Sequence, residues 1–243
     1  MRVPRIYTPQ QLAENTLVEL QHHAVQHLRV LRMQQGTAIE LFDGRGHAHM
    51  ATLEAISKKN ATARIDQPLP STPPSPLDCE IAVAVSKGDK MDLIVQKATE
   101  LGVTSISPVT TVRTDVKLGP ERWQKKHQHW QQVMISACEQ CGRNDLVEIR
   151  QTVNLSDWLA DCQAQSRVIL HPHQADAFSA GHCSASLAMC FGPEGGFSDE
   201  EITQATRHGF QAVVLGPRIL RAETAPLAAL AMAQSWFGDF VAV

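Results

Sequence analysis

The sequence predicts a two-part chain: a small β-barrel with one helix, then an α/β domain around a mostly parallel sheet. Three observations carry this. Five prolines fall within Pro68–Pro76, and their fixed φ angles and missing N–H donors exclude a helix or central strand there. Before that stretch, short β-like runs dominate. After it, apolar strand-like runs alternate with helical ones, the pattern of helices packed on a parallel sheet. The domains are therefore expected at 1–70 and 78–243, with a Pro-rich linker at 71–77.

In the first part, strands are expected over Thr16–Leu20, Ala38–Phe42, His47–Ile56 and Asn60–Ile65. Asp43-Gly44 and Lys59-Asn60 supply turn chemistry between them. A helix over roughly His22–Met33 interrupts the series, with Gly36 following. In the second part, Cys79–Val85 is a continuous apolar run of the buried-strand type. Asp89 is placed to cap a helix to Leu101, with Gly102 as its stop. Val103–Val109 is the next strand. Pro120 opens a long helix ending near Gly142. Ser156 is expected to cap a short helix before a strand at Arg167–Leu170. Leu187–Phe191 leads into the turn Gly192-Pro193-Glu194-Gly195-Gly196-Phe197. Ser198 and Glu201 form a capping-box pair for a helix that stops at Gly209. Gln211–Leu215 is the last strand, and Pro226 opens an Ala-rich terminal helix after the loop 216–224.

Composition bounds the function. The 243 residues are 43% hydrophobic, enough for a core. With one Tyr and seven Phe, RNA binding mainly through aromatic stacking is disfavoured. No apolar run is long enough to span a membrane, and the N-terminus lacks a secretory signal. Six irregularly spaced cysteines then read as reduced thiols of a cytoplasmic protein. The formal charge is −3, but it is unevenly spread: +2 over 1–70, +1 over 71–126 and −6 over 127–243. Phosphate contacts are expected from the first half. Arg2, Arg5, Arg29 and Arg32 on the barrel, with Lys87, Lys90 and Lys117 near the junction, are the candidates; ordinary solvated charge is the alternative for each.

Two strand–loop–helix junctions concentrate glycine: 192–197 and 216–224. Ligands of parallel sheets bind beyond the carboxyl ends of strands, and glycine lets backbone groups approach them. Neither loop is a dinucleotide or P-loop fingerprint. Cys138-Glu139-Gln140-Cys141 has C-x-x-C spacing, but it closes a helix and lacks a second ligand pair. Packing cysteines are the better account. The histidines, paired at His47/His49, His127/His129 and His171/His173, lack a matching carboxylate cluster, so no metal site is expected. The stripe Leu227, Leu230, Met232, Trp236 and Phe237 reads as core or dimer interface.

The turn Gly192–Phe197, followed by Leu215-Gly216-Pro217-Arg218-Ile219-Leu220-Arg221-Ala222-Glu223-Thr224-Ala225, resembles the paired C-terminal motifs of the SPOUT methyltransferases. Within that group the chain is similar to the RsmE family, which methylates N3 of a uridine in 16S ribosomal RNA. The likeness extends to Arg2–Tyr7, Arg29–Arg32, Leu41–Gly44, Gln96–Val103 and Ala137–Arg143. It implies a PUA-like barrel, an α/β domain with a C-terminal trefoil knot, a homodimer, and the 16S RNA of the small ribosomal subunit as partner. It also implies S-adenosylmethionine as cofactor, leaving as S-adenosylhomocysteine. Its pocket would be lined by Leu170, Phe191, Gly192, Glu194, Gly195, Gly196, Leu215, Gly216, Leu220, Arg221, Thr224 and Ala225. One segment, Thr111–Lys117, departs from the family pattern, where a Cys often follows Arg113.

The reaction asks for a group that stabilises charge on the uracil oxygens and a group that takes the N3 proton. Arg143 suits the first role; the alternative is that it neutralises a helix C-terminus. Glu139, four residues earlier, is either base or orienter, or an ordinary partner of Arg143. Glu100 and Arg113 are further candidates, with solvent-facing charge as the alternative. Two other readings stay open: a SPOUT enzyme acting on a different position, and a non-catalytic RNA-binding factor.

Overall fold

The structure is a computed structural model that describes residues 3–71, 73–171 and 175–240. It divides into two compact units. One comprises Met1–Pro74 together with Ile135–Leu146, the other Ser75–Met134 and Val147–Val243.

The first unit is built on a five-stranded sheet. Its strands are β1 (Arg5–Tyr7), β2 (Leu17–Leu20), β3 (Ala38–Phe42), β4 (Ala48–Ile56) and β5 (Ala61–Pro68), in the order β1-β3-β4-β5-β2. All neighbours are antiparallel except β1 and β3. Alternation drives the strands: β2 buries Val18 and Leu20 and exposes Leu17 and Glu19. These side chains meet Ile6, Ile39, Leu41, Leu53 and Ile65 in one core, completed by Ala24, Val25 and Leu28 of α1 (His22–Val30). The helix ends three residues before the expected Met33. Arg32 takes the left-handed conformation (φ 56) that glycine usually supplies, and Met33 N–H closes back on the Leu28 carbonyl at 3.0 Å.

Ile135–Leu146 was expected within the second domain, yet it is held by the first unit through polar contacts that no hydrophobic pattern encodes. Glu139 is 8% exposed and accepts from the Tyr7 N–H at 3.1 Å and from His27 Nδ1 at 2.9 Å. Arg5 pairs with Glu40 and donates to the Arg143 carbonyl (2.9 Å) and to Asn144 Oδ1 (2.8 Å). Its guanidinium also lies 5.0 Å from the centre of the Phe42 ring.

The second unit is a parallel sheet flanked by helices. In chain order its elements are β6 (Asp78–Ala84), α2 (Lys90–Glu100), β7 (Ser105–Thr110), α3 (Pro120–Cys141, whose last turns count with the first unit), β8 (Glu148–Ile149), β9 (Val153–Asn154) and α4 (Leu155–Asp161). There follow β10 (Ser166–Leu170), β11 (Asp176–Ala177), β12 (Ser186–Phe191), α5 (Asp199–Arg207), β13 (Gln211–Val214) and α6 (Thr224–Phe237). The sheet runs β11-β13-β10-β12-β6-β7-β8, with β9 also beside β7, and every pairing is parallel. The central strands are buried on both faces, hence the continuous apolar runs.

Two expected caps differ. Asp89 makes no side-chain cap bond, and α4 begins at Leu155 behind Asn154 rather than behind Ser156. The Ser198–Glu201 box forms on both sides, with Glu201 N–H donating to Ser198 Oγ at 3.2 Å and Ser198 N–H to Glu201 Oε2 at 2.8 Å. Among the described residues no helix is long and apolar enough to cross a membrane.

Gly102, the stop after α2, has φ +81, and a Cβ there would lie 2.6 Å from Gln234 Nε2. That amide is fully buried. It donates to the Gly102 carbonyl at 3.0 Å and accepts from Ser75 Oγ at 2.8 Å, so it has little room to retreat. Gly102→Ala combines the left-handed strain with this clash and is expected to cost about 2 kcal/mol or more. Thermal unfolding should show the midpoint several degrees lower; an unchanged midpoint would refute this account of Gly102.

Candidate functional site

The carboxyl ends of β10, β12 and β13 open onto a cavity of about 550 Å³. Leu170, Phe191 and Val214 end these three strands, and the two glycine-bearing loops cover them. Leu170, Phe191, Gly192, Glu194, Gly195, Gly196, Leu215, Leu220, Arg221 and Ala225, all expected at a cofactor pocket, line it. Gly216 and Thr224 do not. Gly216 adopts φ +74, so its part is to turn the chain after β13. Thr224 is the first residue of α6, its N–H donating to the Arg221 carbonyl at 2.9 Å.

The walls are mainly aliphatic and aromatic, with Lys90, His171, Glu194, Arg218 and Arg221 as their charged or polar members. Lys90 was expected among RNA contacts, but it lines this cavity and pairs with Glu194, with Glu223 Oε2 at 3.9 Å. The Lys90 ammonium beside Glu194 holds that carboxyl below the usual range. Glu223 Oε2 is buried without a hydrogen-bond partner. Glu223 stood inside the sequence motif unselected; an acid between Arg221 and the start of a helix reads equally well as a cap. Only its burial beside a cavity distinguishes it.

A second cavity of about 540 Å³ lies beyond the ends of β6 and β7, lined by Val85, Ser86, Lys87, Arg113, Asp115, Glu194 and Gly195. Glu194 and Gly195 belong to both cavities, so the Gly-rich turn is their common wall. Arg113 donates through Nη1 to the Gly195 carbonyl at 2.7 Å. Its loop is anchored by Glu201, whose Oε1 accepts from the Val112 N–H at 2.8 Å. The capping box thus fixes both α5 and the Arg113 loop. Lys87 pairs with Asp115 at 2.9 Å across two exposed side chains.

The remaining candidates lie elsewhere. Glu100 lines neither cavity; Lys97, one turn back on α2, holds its carboxylate at 2.8 and 2.9 Å. Arg143 and Glu139 belong to the first unit. They do not form the couple considered from sequence: Arg143 pairs with Asp145, and Glu139 with His27. Of the expected RNA contacts, Arg2 lies outside the described residues. Arg5 is a buried cross-link with 10% of its side chain exposed, which removes it from a phosphate-binding surface. Arg29, Arg32 and Lys117 are exposed. Neither Cys138 nor Cys141 forms a disulfide among the described residues, and burial pushes the Cys138 thiol up to about 12. Among the described residues no group of His, Cys, Asp or Glu could hold a metal ion; His173 lies outside them.

The His27–Glu139 contact makes stability depend on pH. The hydrogen bond to Glu139 raises the His27 pKa above 6.5, partly opposed by burial. A raised folded-state pKa gives stabilisation that is complete below the unfolded value and lost as pH rises through the folded value. Because 38% of the His27 side chain is exposed, solvent screening keeps the effect under about 1 kcal/mol. His27→Gln should remove the part of the stability decline above pH 6.5 that His27 contributes. Urea unfolding across that interval is the check, and a decline identical in both proteins would exclude His27 as its source.

An RNA methyltransferase domain model matches residues 73–234, and an RNA methyltransferase PUA domain model matches residues 20–66. The ribosomal RNA small subunit methyltransferase E of Buchnera aphidicola is 30% identical over 98% of this chain and 96% of its own length. The chain belongs to the RsmE family. Two solved structures share the fold across the whole chain. The RsmE enzyme of Neisseria gonorrhoeae, bound to S-adenosylmethionine, has a TM-score of 0.91 and 39% identity, covering 99% of this chain and 100% of that one. A methyltransferase of Legionella pneumophila, also in complex with S-adenosylmethionine, has a TM-score of 0.94 and 40% identity over the same shares. Family membership accounts for the PUA-like first unit and the α/β second unit.

Proposed function

We propose that this protein methylates N3 of a uridine in 16S ribosomal RNA, using S-adenosylmethionine held in the first cavity. One observation carries the reading: both glycine-bearing loops wall a single cavity at the strand carboxyl ends of a family whose solved members bind that molecule. The residues fit the group. Leu170, Phe191, Leu215, Leu220 and Ala225 form an apolar slot suited to an adenine ring, with glycine backbone at its edge. Glu194 and Glu223 supply acceptors for ammonium and hydroxyl groups. When bound, S-adenosylmethionine supplies an electrophilic methyl group on a sulfonium.

The second cavity is where the acceptor would meet the protein. As N3 loses its proton, negative charge spreads over the uracil O2 and O4, and fixed donors there lower the barrier. Arg113 is the better-supported donor: its contact with Gly195 orients the guanidinium at the wall shared with the first cavity. Arg143 and Glu139, anchored by Asp145, Tyr7 and His27, read as ties of the first unit. The Lys90 hydrogen bond lowers the proton affinity of the Glu194 carboxylate, which makes it a weak base for the N3 proton.

The remaining assignments are part of the same proposal. The barrel at 1–70 docks the small subunit, with Arg29, Arg32, Lys87 and Lys117 near phosphates and binding weakened by salt. The linker at 71–77 joins it to a knotted methyltransferase domain at 78–243. The enzyme works in the cytoplasm as a homodimer, to which the apolar stripe of α6, with Phe237 37% exposed, is suited. Calorimetry on the purified, folded protein should register uptake of S-adenosylmethionine or S-adenosylhomocysteine; no uptake would end the enzyme reading. Small-subunit RNA from cells lacking the protein should lack one N3-methylated uridine. Loss of a ribose mark instead would redirect the assignment within the methyltransferases.

A further inference from the structure

Two residues beyond β6, at the middle of the parallel sheet, stands a hydroxyl that the mechanism leaves unused. Ser86 is 3% exposed and lines the second cavity. Its Oγ lies 3.5 Å from the Ala84 carbonyl and 3.5 Å from Glu194 Oε2. An O–H···O bond normally measures about 2.7–2.8 Å, so both contacts are marginal. Buried polar groups in folded proteins generally have a good partner. Among the described residues none lies at ordinary distance, and the open side of the residue is the cavity.

The cavity's other polar groups narrow what could sit there. Asp115 is paired with Lys87 and Glu194 with Lys90, so each carboxylate already has a cation beside it. Arg113 commits Nη1 to Gly195 and retains further N–H donors. The donors with capacity to spare are Ser86 on β6's extension and Arg113 beyond β7, with Val85 as an apolar neighbour. Two donors from separate strands suit a flat ring carrying two carbonyl oxygens on either side of an N–H. Uracil has that edge. Cytosine places an amino donor at one of those positions, so a donor would meet the guanidinium or the hydroxyl there in place of an acceptor.

We propose that the second cavity receives the acceptor uracil, and that Ser86 Oγ donates to one of its carbonyl oxygens while Arg113 serves the other. Ser86 is thereby a specificity-determining residue of the reaction. This rests on the function proposed above and adds the base-recognition site to it. The shared wall at Glu194 and Gly195 puts a base in this cavity next to the donor's cavity without requiring either to move. Ser86 also stands where sequence alone gives little signal, a serine after a strand being most often a turn residue.

The experiment uses full-length protein and small ribosomal subunits from cells lacking it. Single-turnover methyl transfer and calorimetric binding of S-adenosylmethionine are measured for the wild type, Ser86→Ala and Ser86→Thr. The expected result is a rate about tenfold lower for Ser86→Ala, S-adenosylmethionine affinity within twofold of wild type, and most of the rate restored in Ser86→Thr. Should Ser86→Ala fail to fold, Ser86→Cys, close in volume but a weak donor, carries the same expectation. A rate within twofold of wild type would overturn the proposal. So would an equal loss in the threonine variant, which would make the effect one of packing. A tenfold loss of S-adenosylmethionine affinity would also overturn it, by moving Ser86 to the cofactor. Failure of the underlying function would appear separately, as absent uptake in the wild-type protein, and would remove both.

Discussion

Ala225→Trp is expected to lower the affinity for S-adenosylmethionine by about a hundredfold or more while the protein stays folded. Ala225 is the second residue of α6 and lines the first cavity together with residues of both glycine-bearing loops. An indole there would occupy space between those loops, and the site is bounded by buried groups that cannot withdraw: Phe191 is 1% exposed and Phe197 5%. Close-packed walls do not yield to an added ring without displacing the ligand or themselves. Tryptophan is a tolerable helix residue, and Ala225 is only partly buried, so the thermal midpoint should move little. Calorimetry against S-adenosylhomocysteine is the cleanest measure, since no turnover complicates it. Wild-type affinity in a folded Ala225→Trp protein would mean that the cofactor binds elsewhere.

Arg113→Ala should reduce single-turnover methylation by about 10²–10³-fold, the range typical for removing one preorganised donor at developing negative charge. Affinity for S-adenosylmethionine should change little, because Arg113 does not line the first cavity. The structural cost should also be small, since the loop keeps its anchor at Val112 through Glu201. Arg143→Ala is the informative companion. Its guanidinium is held by Asp145 within the first unit, so its loss should lower the melting temperature and leave the rate within tenfold. If the two variants exchanged these outcomes, the charge-stabilising role would belong to Arg143, and the Gly195 contact of Arg113 would be a loop restraint only.

The contrast between these arginines shows what pattern reading could reach. Arg143 suits the charge-stabilising role by residue type and lies just beyond the long helix α3. Arg113 sits in the segment that departs from the family pattern. Which one reaches a cavity depends on a single contact, to a carbonyl eighty-two positions along the chain. Likewise Arg5 and Lys90 carry the charge expected of RNA contacts, but Glu40, Asn144 and Glu194 claim them. The partners of a long polar side chain are chosen across the fold, and nothing in local periodicity encodes them. The two-residue strands β8, β9 and β11 escaped notice for a related reason: they are too short to show a period and exist only because a neighbouring strand pairs with them.

By itself the sequence determined the alternation of strands and helices, the Ser198–Glu201 cap, and the two glycine-bearing loops beyond the strand ends. These follow from near-neighbour chemistry: burial alternation, helix start signals, and the backbone freedom of glycine. The tertiary structure decided which strand ends share a cavity, that Ile135–Leu146 joins the first unit, and that Ser86, Arg113 and Glu194 gather around a second cavity. Those are long-range facts. A sheet ordered β13-β10-β12-β6-β7 brings residues from distant parts of the chain to one edge, and strand order is set by the packing of the whole.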